Sequence, residues 1–542
     1  MPVINSPYPT PVLAAPPSVI SFTLRVIDPN RFPFGKLVDV RNSSTLLDRI
    51  DKNQPTDVDV RPLHIIPQRL LLTRCDRCRP GDSIDMLPDD VLLEIFDFIV
   101  EEEGRRGKVD FEKWHTLVRV CQRWRSLVFG SPRRLNLRLV CSQKTPARDT
   151  LDVWPTLPLF IKCNGPAESV DNIIAVLERS DRVREIDLIV QGSELGRLSA
   201  AMQVPFPELT ALALWLNGKP MTVFPDSFLG RSAPRLEYLK LDRIPFPGLP
   251  KLLLSATHLI SLYLYNVLRS GYIPPKAMAT ALSTLTRLET LRLEFESPQS
   301  RPGPAHRHPP PLTRSVLPNL ATFRFKGDSE YVEVVVAHID APQLEYLETT
   351  LFKDIVFDTP QFTQFISRTP TMKVLEKARV IFEGDAATVE LSSLISGKYE
   401  TLEVNVPCSK LDWQVSSMEQ VCTSCLPPLP TLDLHIYGNP HFQHWQGNID
   451  NALWLRLLHP FTFVKNLYLS EEIARRIVPA LQELVGVNAM EVLPALQNIF
   501  LEDGQRSGPV QEGIQRVVAV RQANNHPIAV FYQPKLYFYD PF

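Results

Sequence analysis

The chain has 542 residues, of which 44% are hydrophobic and 22% are charged, a composition typical of a globular protein with more than one domain. Its formal net charge of −2 and isoelectric point near 6.6 provide no basic surface for nucleic acid or an anionic membrane, so we expect neither as a partner. Eight cysteines are too few for a disulfide scaffold of this length, which indicates a cytoplasmic or nuclear location.

The first segment, residues 1–82, starts with a proline-rich stretch. Residues 1–24 carry no charge, but their prolines break any helix and no basic segment precedes them, so we expect no targeting signal. We expect residues 1–82 to be largely disordered, with a short helix around residues 44–50.

A short helical unit is predicted over residues 83–132. Leu87 and Pro88 precede Asp89 and Asp90, and a proline followed by two carboxylates is typical of a helix start. The apolar residues that follow have helical spacing and occupy more than one helix face: Val91, Leu92, Ile95, Phe96, Phe98 and Ile99. One face is therefore expected to contact the core and another to contact a partner.

The second half of this unit, residues 114–128, again has apolar residues at helical spacing, interleaved with arginines. Together the two halves resemble the F-box, in which Leu-Pro and an apolar helix are followed by a Val-Cys pair, a Trp and a Leu. The gap at residues 101–110 is longer than in that family. The matching residues are Leu87, Pro88, Val91, Ile95, Ile99, Val120, Cys121, Trp124 and Leu127, with Pro132 following.

This resemblance implies a role for each half. Leu87, Pro88, Val91, Ile95 and Ile99 would contact a Skp-type adaptor and, through it, a cullin. The core of the unit would be formed by Val120, Cys121, Trp124 and Leu127. The alternative is an ordinary buried helical hairpin that binds nothing.

Residues 133–542 carry a repeated apolar pattern. Alternation predicts strands at residues 135–139 and 157–161 and, beyond a helical return at residues 171–179, an apolar-x-x-apolar-x-apolar unit recurs. Its first six copies start 26, 27, 23, 29 and 32 residues apart, mostly within the range of leucine-rich repeats. These copies begin at Val183, Leu209, Leu236, Leu259, Leu288 and Leu320, and weaker ones begin at Leu344, Leu375, Leu402, Leu432, Val464 and Leu496.

The repeats resemble a leucine-rich-repeat array, although the asparagine usual after the third leucine is absent. The predicted fold class is α/β, with a short helical F-box-like unit followed by an irregular leucine-rich-repeat-like solenoid with a parallel sheet. We expect a proline-rich surface loop at residues 297–312 and terminal strands at residues 528–532 and 536–539. The alternative is a set of scattered leucines in another α/β domain.

The repeat pattern also predicts an outward surface, because alternate strand residues point to opposite faces and the leucines take the inner one. The outward positions in successive units mix aromatic and charged residues, and Trp, Tyr and Arg often anchor interfaces. A solvated strand face without function is the alternative. The tentative substrate surface comprises Trp215, Lys240, Tyr263, Tyr265, Arg292 and Arg324.

Other motifs do not predict a catalytic or metal site. The pairs Cys75/Cys78 and Cys422/Cys425 have zinc or redox spacing, and residues 441–444 contain two histidines, but none of these has a nearby second pair or third ligand. The sequence contains no phosphate-binding glycine loop, nucleophile elbow or kinase signature. We therefore expect no cofactor, no metal and no enzymatic activity.

These features lead to one hypothesis and two alternatives. The F-box-like unit would dock on a Skp-type adaptor of a cullin–RING ubiquitin ligase while the repeats bind a protein substrate, so that the chain supplies proximity. It could instead be an adaptor-binding scaffold that acts outside ubiquitin transfer. The third possibility is an enzyme with an unrecognised site in the repeats.

Overall fold

The computed structural model describes most of the chain from Leu87 to Gln533. The described residues are 87–101, 114–135, 137–142, 151, 156–163, 170–298, 313–352, 359–373, 375–395, 398–428, 430–438, 449–484, 490–502 and 508–533. All of them belong to one compact unit that spans Asp82–Phe542. The predicted helix at residues 44–50, nearly all of the proline-rich loop and the predicted strand at residues 536–539 lie outside the described residues.

Three helices form the first part of this unit: α1 (Asp89–Glu101), α2 (Trp114–Leu117) and α3 (Gln122–Gly130). Two carboxylates in the first turn of α1 lie at the positive end of its dipole. The helices surround a small apolar core in which the rings of Phe96 and Trp124 lie 4.7 Å apart. The other members of this core are Leu92, Leu93, Trp114, Leu117, Val118 and Val128.

The helical unit packs directly against the start of the sheet. The indole Nε1 of Trp114 donates a hydrogen bond to the carbonyl oxygen of Arg138 at 3.0 Å, and Arg134 forms an ion pair with Glu94 of α1. The buried residues of the helices and those of the first strands belong to one continuous apolar core. The helices therefore have a fixed orientation relative to the sheet.

The rest of the chain alternates strands with returns. The strands are β1 (Leu139–Cys141), β2 (Leu159–Lys162), β3 (Val183–Gln191), β4 (Ala211–Asn217), β5 (Tyr238–Asp242), β6 (Ser261–Val267), β7 (Thr290–Phe295), β8 (Ser315–Val316), β9 (Thr322–Gly327), β10 (Ile339–Asp340), β11 (Tyr346–Leu351), β12 (Lys377–Phe382), β13 (Ala386–Ile395), β14 (Lys398–Pro407), β15 (Asp433–Gly438), β16 (Asn466–Leu469), β17 (Asn498–Glu502) and β18 (Ala529–Gln533).

Helices occupy most of the returns. They are α4 (Asp171–Leu177), α5 (Leu195–Ala201), α6 (Leu249–Leu253), α7 (Pro275–Leu282), α8 (Ser329–His338), α9 (Pro360–Arg368), α10 (Leu411–Gln420), α11 (Asn451–Leu458), α12 (Glu471–Gln482) and α13 (Pro509–Ala523). Short 3-10 turns lie at Phe228–Arg231, Arg269–Gly271 and Thr371–Lys373, and a π-helical turn at Val421–Cys425 follows α10. Most successive helices pack against each other and form a second layer.

Within the described residues, sixteen strands form one sheet in the order β1 to β7, β9, β11, β14, β13, β12 and β15 to β18. The repeat leucines lie in register, as in the row Leu212, Leu239, Leu262 and Leu291, and these four are fully buried or nearly so. Each unit thus buries its leucines against its neighbours, which is how solenoid repeats are stabilised. The fold is mixed α/β with a large, mostly parallel sheet that resembles a leucine-rich-repeat solenoid.

The predicted parallel sheet has one antiparallel strand. β13 runs antiparallel to both β12 and β14, and the three strands lie in reverse order between β11 and β15. The connections on either side of β13 span only residues 383–385 and 396–397, which is too short for a parallel crossover. The weak copies at Leu375 and Leu402 are therefore not successive parallel units.

Two predicted strands also have different bounds. Leu135 lies in a turn, because its amide donates to the carbonyl oxygen of Ser131 and the amide of Leu137 donates to that of Pro132. The first strand begins only at Leu139. The strand predicted at residues 157–161 occupies Leu159–Lys162. Leu135 and Leu137 are nevertheless buried, since they fill the junction between helices and sheet.

Candidate interaction surfaces

One face of α1 presents apolar side chains to solvent. Val91 and Phe98 have 39% and 66% of their surface exposed, and Ile95 between them is half-buried. These three residues are spaced i, i+4 and i+7 and therefore share one helix face, which Pro88 extends at the start of the helix. We call Pro88, Val91, Ile95 and Phe98 the box stripe.

The opposite face of α1 packs inward. Leu92, Leu93 and Phe96 are buried, while Leu87 and Ile99 are partly buried against the same core. Of the five residues predicted to contact an adaptor, Pro88, Val91 and Ile95 therefore lie on the outward face, whereas Leu87 and Ile99 pack against the core. Phe98 was absent from that predicted set and is more exposed than Val91.

The start of α1 is anchored by α3. Arg123 of α3 forms an ion pair with Asp89 at 2.5 Å, and its Nη2 donates to the carbonyl oxygen of Leu87 at 2.5 Å. Because α3 holds the Leu-Pro turn in place, the box stripe has a fixed starting point.

The predicted core of the helical unit needs one correction. Val120 is 56% exposed, because it lies in the turn that joins α2 to α3 rather than on a helix. Cys121 is the N-cap of α3, with its Sγ accepting from the Trp124 amide at 3.4 Å. Trp124 is buried and Leu127 is partly buried against the core, while Val118 is a buried residue that the prediction omitted.

The second surface lies on the open face of the sheet, where the structure brings together all six predicted substrate-contacting residues. Register pairs Lys240 with Tyr263, Tyr263 with Arg292, and Arg292 with Arg324 across adjacent strands. Trp215 and Tyr265 lie two residues further along β4 and β6 on the same face. We call Trp215, Lys240, Tyr263, Tyr265, Arg292 and Arg324 the cation–aromatic strip.

Rings hold the cations of this strip in place. The Nζ of Lys240 lies 4.8 Å from the ring centroid of Trp215 and 5.0 Å from that of Tyr265, so the ammonium sits between two rings. The Cζ of Arg292 lies 4.6 Å from the Tyr265 ring, and that of Arg324 lies 4.7 Å from the Tyr346 ring. Cation–π contacts of this kind limit side-chain freedom before any partner binds.

A row of five charges crosses the sheet next to the strip. Register aligns Arg324, Glu348, Glu403, Glu390 and Arg379 on β9, β11, β14, β13 and β12. The outer arginines neutralise the outer glutamates, with Nη1–Oε distances of 3.2 Å for Arg324–Glu348 and 3.6 Å for Arg379–Glu390. We call these five residues the charge row.

Glu403, in the middle of the charge row, lies between two carboxylates. The single hydroxyl proton of Tyr346 is shared between Oε2 of Glu403, at 3.4 Å from the hydroxyl oxygen, and Oε2 of Glu348, at 3.1 Å. Burial raises the pKa of Glu403 to about 7, and the charges of Glu348 and Glu390 act in the same direction. This side chain consequently changes charge near neutral pH.

Four stacked rings continue the same row toward the C-terminal end of the sheet. His435, Tyr468, Phe500 and Phe531 have successive ring-centroid distances of 4.0, 4.3 and 5.0 Å with interplanar angles of 4°, 6° and 19°. Burial lowers the pKa of His435 to about 3, helped by the nearby cations Lys377 and Arg379, so its ring stays neutral at physiological pH. We call these four residues the aromatic ladder.

The predicted strip stopped at Arg324, although the same rule extends further. Arg379, Glu403, His435, Tyr468 and Phe500 each stand between two apolar residues of a weaker repeat copy, and Glu348 directly follows the second apolar residue of its copy. Applying the alternation rule to those copies would have identified them. Glu390 had no such signal, because its strand β13 carries no repeat.

Of the cysteine and histidine motifs, only the pair Cys422/Cys425 lies within the described residues. Cys422 and Cys425 lie in the π-helical turn after α10, where burial raises both pKa values, that of Cys425 to about 11. Such thiols stay protonated and are poor ligands and nucleophiles. Cys75, Cys78, His441 and His444 lie outside the described residues. In the part of the chain that the structure describes, no three His, Cys, Asp or Glu side chains are grouped to hold a metal ion.

Comparison with known proteins adds one structural likeness. No protein-family model and no curated protein matches the sequence. Among solved structures, the chain is similar to the leucine-rich repeat-containing protein LegL7 from Legionella pneumophila, with 11% sequence identity, a TM-score of 0.23, and coverage of 70% of this chain and 97% of that one. A likeness at this level carries no argument about family or function.

A helix that crosses a membrane must be both long and apolar. None of the helices between Leu87 and Gln533 that the structure describes meets both requirements.

Proposed function

We propose that this chain is a two-ended interaction scaffold that recruits a protein substrate to a cullin–RING ubiquitin ligase. In this proposal the helical unit docks on a Skp-type adaptor through the box stripe, and the cation–aromatic strip binds the substrate. The chain itself makes or breaks no bond and acts by raising the local concentration of substrate near the ubiquitin carrier.

The observation that carries the proposal is the double-sided apolar character of α1. A helix that only fills a core needs one apolar face, yet α1 buries Leu92 and Phe96 on one side and leaves Val91 and Phe98 exposed on another. An exposed apolar face on an anchored helix is a suitable site for a partner. The F-box-like order of residues in this segment suggests which partner to test.

The sheet supports the second end of the proposal. The cation–aromatic strip is an extended surface on a rigid parallel sheet, and its rings and cations are already positioned by one another. Preorganised Trp, Tyr and Arg side chains are the types that most often dominate binding energy. The strip and the box stripe lie on different elements, so each can be altered without changing the other.

A double-dissociation experiment tests the proposal. The full chain would be expressed as wild type, as Ile95→Asp, and as the triple variant Trp215→Ala, Tyr263→Ala and Arg292→Ala, and each would be purified with its bound proteins. Ile95→Asp places a carboxylate in an apolar contact, so adaptor binding should fall by more than tenfold while substrate capture remains. The triple variant should lose substrate capture and retain the adaptor.

The outcomes separate the competing functions. Slower degradation of the captured protein when cullin activity is blocked would support recruitment to a ubiquitin ligase. An unchanged half-life with intact adaptor binding would indicate a scaffold outside ubiquitin transfer. Full adaptor binding by a correctly folded Ile95→Asp variant would reject the box stripe as the docking site.

A further inference from the structure

The cation–aromatic strip carries an excess of positive charge on the strands that form it. Lys240, Arg292, Arg324 and Lys326 face outward from β5, β7 and β9, against the carboxylates of Asp242 and Glu294 on the same strands. Glu294 is paired with Arg292. Among the described residues, no carboxylate forms an ion pair with Lys240. Its ammonium lies between the rings of Trp215 and Tyr265, and its positive charge lowers the pKa of Asp187 against the larger raising effect of burial.

The flanking strands limit where a negative ligand can lie. On one side stand Glu185 and Asp187 of β3, and on the other stand the three glutamates of the charge row. The two carboxylates of β3 would repel acidic groups placed beside them. On the other side, Arg324 and Arg379 pair with two of the three glutamates, so the charge row offers an anion no net positive charge. The favourable region for an anion therefore extends from Lys240 on β5 to Arg324 on β9.

We propose that the strip binds an extended, acidic segment of a protein, with carboxylates on Lys240 and Arg292. This inference rests on the proposed function, since it names the chemical class of the substrate that the strip would hold. Carboxylates suit the strip better than phosphates, because Arg292 and Arg324 each already pair with one glutamate, whereas a dianionic phosphate needs a cluster of unpaired guanidinium groups.

The spacing of the cations indicates the shape of the segment. Lys240 and Arg292 stand two strands apart in register, which is about 9 to 10 Å at the usual strand separation. A polyproline II segment repeats on one face every three residues and rises about 3.1 Å per residue, so acidic residues at i and i+3 lie about 9 Å apart. Tyr263 stands between the two cations and would contact the residues in between.

Labelled synthetic peptides test this inference on the full chain. The probe is a proline-rich peptide with glutamates at i and i+3, and binding is followed by fluorescence anisotropy. Binding should weaken at least tenfold when both glutamates are glutamines, and it should weaken as salt increases. The Lys240→Gln and Arg292→Gln variants should each bind at least fivefold more weakly than wild type. Lys251→Gln, on helix α6 outside the strip, should bind like wild type.

Each other result would overturn the inference. Equal binding of the glutamine peptide, no detectable binding of the glutamate peptide, or unchanged binding to a folded Lys240→Gln variant would each reject it. Tenfold tighter binding of a phosphoserine peptide would show that the site selects phosphate. If the peptide experiment rejects an acidic ligand but the triple strip variant still loses substrate capture, the strip binds a substrate of another chemical class and the proposed function stands.

Discussion

Glu403 should make the stability of the sheet fall as the pH rises through neutrality. Its pKa is about 7 in the folded protein against an ordinary value of 4.5, because burial and the carboxylates of Glu348 and Glu390 oppose ionisation. Between pH 4.5 and 7 the folded chain therefore holds more protons than the unfolded chain, so the stabilisation is complete below pH 4.5 and is lost as the pH rises to 7. At about 1.4 kcal/mol per pKa unit, the rise from 4.5 to about 7 corresponds to at most about 3.5 kcal/mol.

Urea unfolding of wild type and Glu403→Gln at pH 5.5, 6.5 and 8 measures this effect. The carboxamide cannot ionise, so the free energy of unfolding of wild type minus that of the variant should fall by about 2 kcal/mol between pH 5.5 and 8. Other titrating groups are common to both proteins and cancel in the difference. Glu294→Gln, which alters a glutamate of the same sheet face that pairs with Arg292, is the matched control. A difference that is constant or rises with pH would refute the reasoning.

Two further predictions concern the aromatic ladder and the helical unit. His435→Phe keeps a stacked ring but removes a base whose pKa is lowered from 6.5 to about 3. In urea unfolding, the free energy of unfolding of the variant minus that of wild type should therefore rise by about 2 kcal/mol when the pH is lowered from 7.5 to 5. No rise at pH 5 would contradict a buried, neutral histidine. Trp124→Ala removes a buried ring packed on Phe96 and should cost about 3 to 5 kcal/mol in the helices alone. Hydrogen exchange should then accelerate in α1 and α3, and equal acceleration in β14 would argue against a locally confined loss.

The repeat strands were predictable because their signal is local and repeated. Each strong unit places leucines two residues apart, and a strand that buries one face must turn the intervening residues outward. Register then follows from aligning equivalent leucines, which is why the sequence alone places Lys240, Tyr263 and Arg292 on one face. The same logic extends to Glu403 and His435 in the weaker copies.

The features that were missed depend on chain direction and on contacts between distant residues. β13 has no leucine repeat, and only the short connections at residues 383–385 and 396–397 signal that it runs antiparallel. Val120 has an apolar side chain at a motif position, but it lies in a turn and is 56% exposed. The stacking of His435 on Tyr468 joins residues of two separate repeats, and no local pattern encodes it.

The central claim is that the box stripe is a docking face, and a direct affinity measurement tests it. Phe98 and Val91 point to solvent, so Phe98→Asp and Val91→Asp should leave the fold intact, as circular dichroism can verify. Titration of the purified chain with a purified Skp-type adaptor in a calorimeter should give a one-to-one complex for wild type. Each substitution should weaken binding by at least tenfold, about 1.4 kcal/mol or more. Equal affinity of wild type and both variants, or no complex with wild type, would contradict the claim.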